Sequence, residues 1–96
     1  MCHDADPMAP LRNPPSWWDW ELELSVHVEQ RMLERGITEV DLRAMLEHAR
    51  ELSPSHVAGR FVAEARHDGH DWAVVLEPDF DLECVAVVTV YNREEP

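Results

Sequence analysis

The sequence predicts an α+β domain in which two N-terminal helices pack on one face of an antiparallel sheet of three to four strands. Three observations predict it. Two amphipathic segments, each with its own cap residue, lie between residues 25 and 50. Three β-type runs follow, separated by Asp68-Gly69 and by Pro78-Asp79-Phe80-Asp81. An alternating run, Trp20-Glu21-Leu22-Glu23-Leu24-Ser25, precedes the helices as a lead-in strand.

In chain order, residues 1–16 hold four of the seven prolines and read as an irregular tail, which leaves a single domain over residues 17–96. Trp17, Trp18 and Trp20 open the domain. Ser25 is the natural N-cap of a helix over about residues 26–35, and Gly36 its left-handed stop. Thr38 caps the second helix, with Asp41 as a short-armed capping-box partner. Val40, Ala44, Leu46 and Ala49 give that helix its apolar face as far as about Arg50, and Ser53-Pro54-Ser55 breaks the chain. Arg60–Arg66 and Asp71–Glu77 are strands joined by the Asp-Gly turn. Glu83–Tyr91 is the most apolar strand, suited to a covered position.

Length and composition bound the function. The 96 residues support one modest core, and 45% of them are hydrophobic. No apolar run approaches the ~20 residues of a membrane span. The N-terminus has neither a basic region nor an apolar core of a secretory signal, so the expected location is cytoplasmic, with no membrane partner. Cys2 and Cys84 fall in unlike settings and make no disulfide framework. The formal charge of −12 weighs against nucleic-acid binding, but residues 25–50 carry only −1 of it. Lysine is absent, so every fixed cation is a guanidinium.

The chemistry concentrates on the first helix. His27, Arg31 and Arg35 are spaced i, i+4, i+8 and fall along one side. An imidazole for proton transfer with two guanidiniums for phosphate suits a metal-independent phosphodiester cleavage. On the last strand Thr89, Tyr91 and Arg93 share a face and offer a hydroxyl, a stacking ring and a further cation. The plainer reading of these charges is surface pairing, Arg31 with Glu34 and Glu29 with Arg35. His67-Asp68-Gly69-His70-Asp71 has metal-ligand residue types, but a polar hairpin tip explains it, and Met1-Cys2-His3-Asp4 makes no closed site. No metal or cofactor is expected. Three indoles within Trp17–Trp20 cannot all face one core from an extended segment, so Trp17 and Trp18 are candidate partner-binding residues.

The run Ser25-x-His27-x-x-x-Arg31-Met32-x-Glu34-Arg35-Gly36-Ile37-Thr38, with Glu77-Pro78-Asp79 and Val87-Val88-Thr89-Val90-Tyr91 after it, resembles a bacterial family of domains of unknown function. That family is distantly similar to RelE/ParE-type toxins, and similar domains end polymorphic toxins. The resemblance spans about residues 20–93 and implies a RelE-like fold with a curved antiparallel sheet and an RNA-cleaving role. It implies His27, Arg31, Arg35 and Thr89 as the catalytic set, with Tyr91 and Arg93 added as substrate-binding residues. RNA and a cognate antitoxin are then the expected partners. The strong acidity departs from RNA-cleaving relatives. The alternative is a non-catalytic acidic interaction module that engages another protein through the tryptophan cluster.

Overall fold

The computed structural model describes residues 14–94. Seven elements follow in chain order: β1 (Glu21–Leu24), α1 (Val26–Glu34), α2 (Glu39–Glu47), β2 (Glu51–Pro54), β3 (Phe61–His67), β4 (His70–Asp79) and β5 (Cys84–Asn92). The strands form one sheet in the order β1-β5-β4-β3-β2. The expected tail over residues 1–16, with Cys2 and His3, lies almost wholly outside the described residues.

Local chemistry sets the helix ends. Ser25 caps α1 by accepting from the Val28 backbone N–H at 3.2 Å. Gly36, at φ +72°, ends it. The Gly36 N–H donates to the Leu33 carbonyl and the Ile37 N–H to the Met32 carbonyl, the two bonds of a Schellman stop. Met32 and Ile37 are both buried, so the turn is also closed by apolar contact in the core. Thr38 and Asp41 form a reciprocal capping box at the start of α2.

The sheet corrects the expected fold. It has five strands and is mixed, not a RelE-like antiparallel sheet of three to four strands, because β1 pairs parallel with β5. Strand dominates the described residues at 42%, against 22% helix. Two physical reasons account for the difference. Pro54 ends β2, and proline is tolerated there because β2 lies at the sheet edge, where Ser53-Pro54 reads locally as a break. The meander β2–β5 then reverses three times and finishes beside β1, running the same way.

Strand alternation divides the sheet into two faces. Ala63, Ala65, Trp72, Val74, Leu76, Val85, Val87 and Val90 form the core together with Val28 and Met32 of α1 and Leu42 and Met45 of α2. That face is covered by the helices. The other face is open and carries cross-strand ion pairs, Arg60–Glu77 at 2.8 Å, Arg93–Glu64 at 2.7 Å and Arg66–Asp71 at 2.9 Å. A bulge between Val75 and Leu76 on β4, opposite Val88 of β5, shifts the register. No helix among the described residues is long and apolar enough to cross a membrane.

Candidate functional site

The Schellman turn does more than stop α1. It places the half-buried Arg35, Gly36 and Ile37 on the wall of an open cavity of about 740 Å³. Glu34 and Asp41 continue the helix side, and His67, Asp68, His70, Trp72 and Asn92 form the sheet side.

The β3–β4 turn supplies the two histidines. Asp68 (φ +53°) and Gly69 (φ +80°) are both left-handed, the geometry of a two-residue type I′ hairpin. Register then makes His67 and His70 direct cross-strand partners. Ala65 and Trp72 pair one step inward on the same face and are buried, so the histidines continue the helix-covered face out to its rim.

Each histidine has a carboxylate beside it. His67 Nε2 lies 3.5 Å from Asp41 Oδ1, and His70 Nδ1 lies 3.0 Å from Glu94 Oε1. Glu94 Oε2 also accepts from the Asp71 backbone N–H at 2.9 Å. The His70 contact, then the Asp71 N–H, hold the Glu94 carboxyl below its ordinary range. The Thr38 backbone N–H and hydroxyl, with a smaller contribution from the His67 charge, do the same for Asp41.

Two residues of the lining, Arg35 and Trp72, each carry a donor atom that is closed off from solvent and has no partner among the described residues. Arg35 Nε and Trp72 Nε1 are buried without a hydrogen bond. Buried polar atoms are normally satisfied, and these two atoms are exceptions. Among the described residues no group of three or more His, Cys, Asp or Glu side chains is arranged to hold a metal ion.

The sequence-derived set is dispersed. His27 and Arg31 are exposed on α1 and border a separate shallow groove with Gln30 and Glu34. Arg35 stands apart from them because it is the C-cap, at φ −97° and ψ 3°, and leaves the helical path. Thr89, Tyr91 and Arg93 flank the core residue Val90 and the cavity residue Asn92, so alternation sends them to the open face of the sheet. Arg93 is engaged there by Glu64. The helix and β5 candidates therefore lie on opposite sides of the sheet. Trp17 is only 4% exposed and packs on Phe61, ring centroids 5.2 Å apart. Trp18 is half-buried, its ring 5.9 Å from that of Trp17.

The sequence reading left out His67, His70, Trp72 and Asp41 as site residues. The signal for the first three was present: with Asp68-Gly69 fixed as a two-residue turn, Ala63-x-Ala65-x-His67 and His70-x-Trp72-x-Val74 must share one face. Reading the tip as merely polar hid it.

No curated protein and no solved structure matches the chain. The model of one family, a domain of unknown function designated DUF4258, matches residues 24–95. That span takes in all of α1, the Schellman turn, the capping box, the histidine hairpin and Glu94, and the chain belongs to this family.

Proposed function

We propose that the chain is a metal-independent ribonuclease whose site is the cavity between the α1 C-cap and the β3–β4 hairpin. One observation carries the reading: two cross-strand histidines, each beside a carboxylate, share a cavity with an arginine that has no ion pair among the described residues. Cleavage of an RNA strand by its own 2′-hydroxyl needs a base for that proton, an acid for the departing 5′-oxygen and a cation for the phosphorane. An imidazole pair supplies the first two. Arg35 supplies the third.

The carboxylates orient the rings. Glu94 engages His70 through Nδ1, leaving Nε2 for substrate, and Asp41 sits at His67 Nε2, leaving Nδ1. The charge distribution is compatible with a polyanion despite the acidic whole. Arg43, Arg60, Arg66 and Arg93 are tied to carboxylates, whereas Arg31 and Arg35, either side of Glu34, have no ion pair among the described residues. Cleavage of a labelled RNA pool in EDTA, followed across pH, tests the reading. A bell-shaped profile is expected, because one imidazole must be neutral and the other protonated. A rate that rises monotonically with pH contradicts it.

A second reading, a non-catalytic interaction module, is favoured by a different observation. Val26 and Leu33, seven residues apart and therefore on one face of α1, are 78% and 80% exposed. Under that reading Leu33→Glu abolishes partner capture; under the first it leaves RNA cleavage unchanged.

A further inference from the structure

We propose that a trough along β5, on the open face of the sheet, is a docking site for an extended basic segment of a partner protein, one that alternates cationic with apolar side chains. The trough lies on the other side of the sheet from the histidine cavity and owes nothing to RNA chemistry there.

Register builds the trough. Ala86 of β5 stands between Glu23 of β1 and Glu77 of β4, and Cys84, two residues along, stands between Glu21 and Asp79. Residues two apart on a strand share a face, so two short side chains form a floor between two acidic walls. The walls are two strand spacings apart, about 10 Å. The bulge opposite Val88 sets this arrangement, because Val90 and Val87 both enter the core and the alternation below them turns Ala86 and Cys84 outward. An open groove of about 400 Å³ lies here, with Glu23, Glu77, Pro78, Phe80 and Ala86 in its lining. The floor responds to the walls: burial first, then the charges of Glu23, Asp79 and Glu21, push the Cys84 thiol up.

At one end of the trough the β4–β5 turn presents two large apolar side chains, Phe80 at 64% and Leu82 at 69% exposed. The turn holds them outward. Asp79 Oδ1 accepts from the Asp81 N–H at 3.0 Å and from the Leu82 N–H at 3.1 Å. Phe80 is steadied edge-on by Trp20, with ring centroids 5.3 Å apart. Apolar groups fixed beside a groove and rimmed by charge are the mark of a contact surface.

Charge selects the occupant. Of the four wall carboxylates only Glu77 has an ion pair among the described residues, with Arg60. No group of three or more acids among the described residues is arranged to hold a metal ion, so the complementary cation is spread along the trough. An extended chain repeats its side chains on one face every ~7 Å, the repeat that also separates Glu21 from Glu23 and Glu77 from Asp79. A second copy brings the wrong sign, since the chain lacks lysine and carries −12. Its own residues 1–13 hold two acids and one arginine. A basic segment of another protein satisfies the walls, and its apolar residues satisfy Phe80 and Leu82.

The probe is a synthetic peptide alternating arginine with leucine, titrated into the intact chain and followed by backbone amide NMR. The trough predicts saturable shifts centred on Ala86 and Phe80, with affinity falling as salt rises. Glu21→Gln with Glu23→Gln weakens binding about tenfold. Glu29→Gln with Glu47→Gln removes the same charge from exposed positions on α1 and α2 and changes it less than about twofold. Phe80→Ser weakens binding about tenfold, and Leu82→Ser, at a position without the Trp20 contact, does the same. Equal weakening by the two double variants means attraction to net charge alone and overturns the trough. Spermine bound as tightly as the peptide, with Phe80→Ser and Leu82→Ser at parental affinity, overturns the assignment to a protein segment. An Ala86 amide unmoved by millimolar peptide overturns the docking site.

Discussion

Asp41 divides its two oxygens between Thr38 and His67: Oδ2 accepts from the Thr38 backbone N–H at 3.0 Å, while Oδ1 lies 3.5 Å from His67 Nε2. One carboxylate thus fixes the start of α2 and faces the histidine of the β3–β4 hairpin. Helix capping and site geometry are coupled through a single side chain, and disturbing the cap reaches the proposed acid–base pair.

Thr38→Ala tests the coupling. Losing the N-cap hydroxyl that accepts from the Asp41 N–H at 3.1 Å costs about 1 kcal/mol. In a domain of this size the melting temperature falls by about 4–8 °C. Below that transition the same variant cleaves RNA more slowly than the parent, since the backbone that carries Asp41 loses one of its two ties to Thr38 and the carboxylate beside His67 is held less firmly. Thermal unfolding and cleavage at a common temperature check both effects.

Acid stability follows from the same carboxylates. Asp41 and Glu94 are both held below their ordinary range in the folded chain. A group depressed on folding contributes stability that is complete above its unfolded pKa and lost as pH falls through the folded one. Stability therefore declines on acidification below about pH 4, the ordinary carboxylate range. Glu94→Gln removes one of these groups and flattens the decline; an acid limb of unchanged slope contradicts it.

Gly36→Ala separates backbone strain from crowding. A Cβ built at Gly36 meets nothing within 4 Å, so space is not the obstacle. The left-handed φ of +72° is, at about 1–2 kcal/mol for a residue with a side chain. Denaturant titration reads the loss as a lower midpoint with an unchanged slope.

Trp17 and Trp18 behave as different kinds of residue. Trp17→Ala empties a core position packed on Phe61 and costs about 3–5 kcal/mol. Trp18 is half-buried and its replacement by alanine costs less. Equal losses for the two variants in chemical denaturation contradict this arrangement.

What the sequence made legible was local. Ser25, Gly36, Thr38 with Asp41, and Asp68-Gly69 each act within a few residues, and each forms the cap or turn its chemistry predicts. What it concealed was non-local. The parallel β1–β5 pairing joins Glu21 to Cys84 across most of the chain, and no pattern within either run encodes it. β2 was hidden because an edge strand tolerates the Pro54 that reads as a break. The candidate site was half legible: Arg35 was singled out for its spacing from His27 and Arg31, yet the C-cap backbone turns it into a different cavity. Thr89, Tyr91 and Arg93 do share one face, but which face meets the helices depends on Val90 entering the core, a matter of tertiary packing.

The measurement that tests the central claim most directly is RNA cleavage in EDTA by His67→Ala, His70→Ala and His27→Ala proteins beside the parent. Loss of an acid–base group costs about 10²–10⁴-fold in rate. The cavity account predicts losses of that size for His67→Ala and His70→Ala, with His27→Ala close to the parent. A folded His27→Ala protein that loses cleavage while the two hairpin variants retain it would place the chemistry on α1 and contradict the account, as would a parent protein that cleaves no RNA.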